Sequence, residues 1–122
     1  MNILLSFLLT LVIIFVVPII IYGFFVKIFG IKEPDKKLSF FTGVLIEKIG
    51  TSVGFVALFY FGKDFFINNW LLFGFVWFVM FAFTEIGQVY ITGSSKKEAL
   101  AGIISEAIYF PLAAFVVSLI VS

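Results

Sequence analysis

Four stretches of this chain are each long and apolar enough to cross a lipid bilayer, and most of its charge lies between them. A transmembrane helix needs about 20 predominantly apolar residues. The stretches cover residues 3–26, 40–61, 70–91 and 99–121, separated by connections at 27–38, 62–69 and 92–98. Short connections make consecutive helices antiparallel neighbours. The expected fold is therefore an all-α integral membrane protein, a four-transmembrane-helix bundle forming a single domain over residues 1–122. Composition agrees. Of the residues, 63% are hydrophobic and 12% charged, with a mean hydropathy of +1.27. Soluble domains average about 45–50% apolar and 25% charged residues.

What is missing narrows the chemistry. There is no cysteine and no histidine, which removes disulfides, thiolate chemistry, the commonest general base and most zinc, copper and haem ligands. Every basic residue is lysine, so the bidentate guanidinium clamp for phosphate or carboxylate is absent. A net charge of +1 provides no electrostatic case for nucleic acid. No phosphate loop, nucleophile elbow or catalytic triad is present. An enzyme is not expected, and no cofactor is implied.

Lysine placement orients the chain. Lys27, Lys32, Lys36 and Lys37 flank or occupy the first connection, and Lys96 and Lys97 the third, whereas the second has only Lys63 beside Asp64. Cytoplasmic loops carry the excess of lysine. Residues 27–38 and 92–98 are thus expected in the cytoplasm, with both termini outside the cell membrane. Trp70 and Asn68–Asn69 suit the outer interface, Tyr22 and Tyr90 the inner one. Pro18, inside the first stretch, is read as a structural kink. A faint repeat also runs through the chain: Lys36-Lys37 leads to Gly43-x-x-x-Glu47-x-Ile49, and Lys96-Lys97 leads to Gly102-x-x-x-Glu106-x-Ile108. It is compatible with two repeated helical hairpins related by an axis along the membrane normal.

The residues that point to function are Glu47, Glu85 and Glu106, one in each of the last three stretches. An acid at the centre of a bilayer costs about 2.5–3.5 kcal/mol on insertion scales, and such residues normally face the bundle interior or water. At about 1.5 Å per residue, all three lie at a similar depth, some 9–11 Å from the cytoplasmic boundary. At 100° per residue, each also shares a face with small or polar residues. These are Ser39, Gly43, Gly50, Gly54 and Ala57 around Glu47; Gly74, Phe78, Phe81, Gln88 and Thr92 around Glu85; and Ala99, Gly102, Tyr109, Ala113 and Val116 around Glu106. Gly43, Gly50, Gly54 and Gly102 are expected to bring helices close together. Lys48 is expected to snorkel to the headgroups, the alternative being a turn inward to pair with an acid, and the 19 phenylalanines to serve mainly as lipid-facing filler.

Carboxylates gathered in a low dielectric cannot all stay ionised. Either a proton or a cation joins them, and with only oxygen ligands on offer the cation would be a hard one. The expected function is a cation- or proton-coupled transporter or channel-like protein. Its ligand site would be formed by Glu47, Glu85 and Glu106, with Gln88, Thr51, Ser105, Tyr109 and Tyr22 as neutral polar contacts. The alternatives are a non-catalytic accessory or scaffold subunit of a larger membrane complex, and a lipid or hydrophobic-ligand binder. Expected partners are the lipid bilayer and either further copies of the chain or another membrane protein.

Overall fold

The computed structural model describes residues 2–29, 37–93 and 95–121. All its regular structure is helical. Helix α1 spans Asn2–Phe29, α2 Lys37–Phe61, α3 Lys63–Phe66, α4 Trp70–Ile91 and α5 Lys96–Val121. Of these, α1, α2, α4 and α5 are each long and apolar enough to cross a membrane, which matches the four stretches read from the sequence. The single turn of α3 lies in the second connection, where no helix was expected.

Helix ends follow local chemistry. Ser95 precedes α5, and its Oγ accepts the Glu98 backbone N–H at 3.0 Å. The Ser-x-x-Glu spacing of Ser95 and Glu98 is that of a capping box. At the other side of the same connection Thr92 caps the end of α4, and Gly93 takes a positive φ of 74°. Glycine adopts this left-handed turn without a Cβ penalty. Pro18 and Pro111 both lie inside helices that continue past them. Proline removes one backbone bond, and membrane helices tolerate it where neighbours re-satisfy the freed carbonyl.

Helix α5 is the centre of the molecule. It packs along α1 on one side and α4 on the other, while α2 packs on α1 and touches α5 lightly. A helix enclosed on several sides must carry small side chains where its neighbours come close. The buried residues of α5 include Ala99, Ala101, Gly102, Ser105, Ala113, Ala114 and Ser118. Helices α4 and α5 come close at Gly74. A Cβ added at Gly74 would stand 2.8 Å from Pro111 Cα and 3.0 Å from the Phe110 carbonyl oxygen.

Across the remaining gap, aromatic rings fill the space. Phe55 and Phe59 of α2 meet Phe73 of α4 edge-on, with centroids 4.8 and 5.1 Å apart. Phe55 stacks on Phe110 of α5 at 5.8 Å. Edge-to-face pairs of this kind add about 0.5–1.5 kcal/mol beyond the area they bury. Phe55, Phe59, Phe73 and Phe110 are all buried. The expectation of phenylalanine as filler facing lipid therefore fails for the residues that form the core.

The same rings decide how α2 is rotated. With Phe55, Val56 and Phe59 turned inward, the opposite face of α2 points out. That face carries Gly43, Glu47, Gly50 and Ala57, all exposed. A Cβ at Gly43 or Gly50 would meet nothing within 4 Å, and one at Gly54 would touch only Trp77 at 3.7 Å. The glycine stripe expected to pack α2 within the bundle thus makes little internal contact. The two copies of the lysine–glycine–glutamate repeat also land in different settings: Gly102 and Glu106 are buried in the centre, whereas Gly43 and Glu47 lie on the outside.

Candidate functional site

The polar interior is built around Glu106, in the first half of α5. Its residue surface is 3% exposed. Four residues earlier on the same face is Gly102, also buried. Residues i and i+4 of a helix stack one above the other, so the missing side chain at Gly102 opens a space one turn from Glu106. The side chain of Glu85, from α4, fills it. A Cβ at Gly102 would stand 2.6 Å from Glu85 Cδ and 2.8 Å from both of its carboxyl oxygens. What comes close to Gly102 is thus a carboxyl group rather than a helix backbone. This places the Glu85 carboxyl one helical turn from Glu106 on the same face of α5. Glu106 Oε1 is buried and meets no donor among the described residues.

A cation stands close by. Lys48, half-buried on α2, extends inward, and its Nζ donates to the Tyr109 hydroxyl at 3.3 Å and lies 4.9 Å from the centre of the Tyr109 ring. Tyr109 follows Glu106 by three residues on the same face of α5 and is 1% exposed. Lys48 and Glu106 lie within electrostatic range of each other. The expected snorkelling of Lys48 toward the headgroups is not what the structure has. An ammonium on a four-carbon stem gains more here from a hydroxyl, an aromatic face and two nearby carboxyls, an arrangement in which cation–π contact alone contributes about 0.5–2 kcal/mol.

Tyr22 closes the site from α1. Its hydroxyl donates to the Glu98 carbonyl in the first turn of α5 at 3.3 Å, and it lies within electrostatic range of Glu85 and Glu106. Ser105 is buried, with its hydroxyl donating to the Ala101 carbonyl of its own helix at 2.9 Å. Ser52 is buried too and donates to the Lys48 carbonyl at 2.7 Å. Thr51 and Gln88 are half-buried on α2 and α4.

The structure thus gathers Glu85, Glu106, Tyr109 and Tyr22 and leaves Glu47 on the exposed side of α2. Among the described residues, no group of three acids stands within reach of one metal ion. The expected convergence of three carboxylates is replaced by two carboxyls and an ammonium. A helical wheel places Glu47 and Lys48 about 100° apart, so only one of them can face the interior, and the inward Phe55–Phe59 face brings Lys48 with it. The sequence signal for Lys48 was its position in the apolar stretch next to an acid.

Toward the other end of the bundle the interior polarity is sparser. Ser6 and Tyr60 share a hydrogen bond of 2.9 Å between α1 and α2. Thr10, one turn along α1 from Ser6, is buried with its Oγ1 unpartnered among the described residues. A groove of about 270 Å³ between α1 and α2 is lined by Ile3, Leu4, Phe7, Val53, Val56 and Ala57. It offers no polar group with which to orient a ligand.

Comparison of the chain with family models, with curated proteins and with solved structures finds no match.

Proposed function

We propose that this chain is a small multi-pass membrane protein in which Glu85 and Glu106 bind a single positive charge within the bilayer, the coupling site of a cation- or proton-coupled transporter or channel-like protein. The observation that carries this reading is Glu106: a buried carboxyl with one oxygen unpartnered, beside a second carboxyl seated on Gly102. Ionisable residues inside membrane segments are rare and mark ion pathways and proton relays. Two carboxylates and the Lys48 ammonium sum to one negative charge, which one bound positive charge cancels. The lysine distribution supports a cytoplasmic position for the connections at 27–38 and 92–98 in the cell membrane, with both termini outside. The site then lies in the cytoplasmic half.

The test is ligand-linked stability. A species that binds only the folded state stabilises it by mass action, by about 2.7 kcal/mol at 100 times its dissociation constant, and so raises the unfolding temperature. Purified protein is unfolded thermally across pH and across a panel of Na⁺, K⁺, Mg²⁺ and Ca²⁺. The expected result is a dependence on pH or on one cation that disappears in Glu106→Gln. Wild-type protein indifferent to all of them would sink the reading.

One observation favours a second reading. The outer face of α2 combines exposed Glu47 with the open glycines Gly43 and Gly50, a surface suited to close helix contact within the membrane. An accessory subunit would use it to dock on a partner. Purified protein that folds only alongside a co-purifying membrane protein supports this second reading.

A further inference from the structure

The identity of the bound charge follows from the crowding around the two carboxyls; the inference rests on the coupling-site reading above. Metal ions that take oxygen ligands need several at once. Ca²⁺ takes six to eight, and Mg²⁺ demands a near-ideal octahedron. No three acids are within reach of one ion among the described residues, and the third acid of the region, Glu47, lies on the exposed side of α2. A positive charge is also already in place, because the Lys48 ammonium sits 3.3 Å from the Tyr109 hydroxyl, one helical turn beyond Glu106. It would repel a metal ion arriving at the same carboxyls.

The contact between the carboxyls has its own requirement. Glu85 sets its carboxyl against Gly102, one helical turn from Glu106, whose own Oε1 is buried with no donor among the described residues. A carboxylate can only accept hydrogen bonds, and a protonated carboxyl can donate one. Two neighbouring carboxyls can therefore share a hydrogen bond only when at least one of them is protonated. The Glu85 carboxyl has little room to withdraw toward α5, since it already lies against the Gly102 backbone.

We infer that the bound charge is a proton held between Glu85 and Glu106, with Lys48 as the resident counter-cation that moves onto the carboxylates when the proton leaves. On loading, a proton from water adds to a carboxylate oxygen, and the new O–H donates to the other carboxylate. On release, that O–H bond breaks, its electron pair stays on the oxygen and the proton returns to water. Lys48 keeps all three hydrogens throughout, and its flexible stem allows the ammonium to swing from Tyr109 to the carboxylates. The other ionisable groups around the site are Tyr109 on α5, which Lys48 contacts, Tyr22 from α1 with Glu98, whose carbonyl it bonds, and Glu47 next to Lys48 on α2.

Infrared spectroscopy of the protein in lipid vesicles tests this through the C=O stretch of a protonated carboxyl, assigned with isotope-labelled glutamate. The expected result is a band that disappears as pH rises. It is unchanged by Na⁺, K⁺, Mg²⁺ or Ca²⁺ at fixed pH, and absent in both Glu106→Gln and Glu85→Gln. In Lys48→Met the band persists to a pH about one unit higher or more, because a neighbouring ammonium no longer favours the charged carboxylates. If a metal ion removes the band at fixed pH, the proton is the wrong occupant while the coupling-site reading stands. If neither pH nor any cation alters the band or the unfolding temperature, the coupling-site reading falls as well. Should Glu106→Gln fail to fold, Glu85→Gln and Lys48→Met carry the same test, and a band unmoved in both overturns the proposal.

Discussion

Glu85 rests its carboxyl against the backbone of Gly102, with Cδ 2.6 Å from the place a methyl group on that glycine would occupy. One helix supplies the acid and its neighbour supplies the absence of a side chain. The contact holds Glu85 one turn from Glu106.

Gly102→Ala should therefore separate the carboxyls without removing any ionisable group. The added methyl meets only the far end of a flexible side chain, and alanine favours a helix over glycine by about 1 kcal/mol. Stability is expected to stay within about 1 kcal/mol of wild type, while the ligand- or pH-dependence of unfolding is lost. Thermal unfolding at several pH values checks both halves. A variant with wild-type dependence would show that Glu85 need not sit on Gly102.

Gly74→Ala makes the opposite case. Here the methyl meets Pro111 Cα at 2.8 Å and the Phe110 carbonyl at 3.0 Å, and backbone cannot rotate away. Helices α4 and α5 must move apart, so a loss of about 1–3 kcal/mol is expected, typical of an overfilled core. Equilibrium unfolding in mixed micelles measures it. Unchanged or raised stability would contradict the close approach at Pro111.

Lys48 and Glu106 should be energetically coupled. Replacing Lys48 by Met strands nearby negative charge, and replacing Glu106 by Gln strands a cation. The double variant removes both problems. A double-mutant cycle is expected to give about 0.5–3 kcal/mol of interaction, the range for residues in one polar network. Additive single effects would mean that Lys48 serves Tyr109 alone.

Tyr60→Phe should have a smaller effect. It removes the 2.9 Å bond to Ser6 and leaves a fully buried hydroxyl. Interhelical side-chain bonds in membranes average about 0.6 kcal/mol, and a loss of that order in unfolding free energy is expected. A loss several times larger would point to a role for the Ser6–Tyr60 pair in the wider helix arrangement.

Because the chain has no cysteine, single cysteines report topology without background. Lys63→Cys should react with a membrane-impermeant maleimide added to intact cells, and Lys96→Cys only after permeabilisation. The reverse pattern would invert the orientation inferred from the lysine bias.

Much of the fold was legible because it follows from solubility. Four long apolar stretches have to be four helices in a bilayer, since every backbone group must be satisfied within the segment. The face of α5 was legible too. Ala99, Gly102, Glu106, Tyr109 and Ala113 share one side by helical period and are all buried. The face of α2 was misread. Small residues mark contact surfaces in membranes, but they do not say whether the contact lies inside the chain or with another one. The glycine side of α2 turned out because Phe55 and Phe59 fill more of the gap to α4 and α5 than glycine can.

Residue types and their depth along each stretch were enough to determine which side chains were costly in a bilayer: Glu47, Lys48, Glu85 and Glu106. Which of these meet was decided only by the tertiary structure. Helix rotation is a collective outcome of ring packing, and it brought Lys48 inward and carried Glu47 out. The site is a pair of carboxyls with a resident ammonium because aromatic volume, rather than charge, set the angle at which α2 faces the bundle.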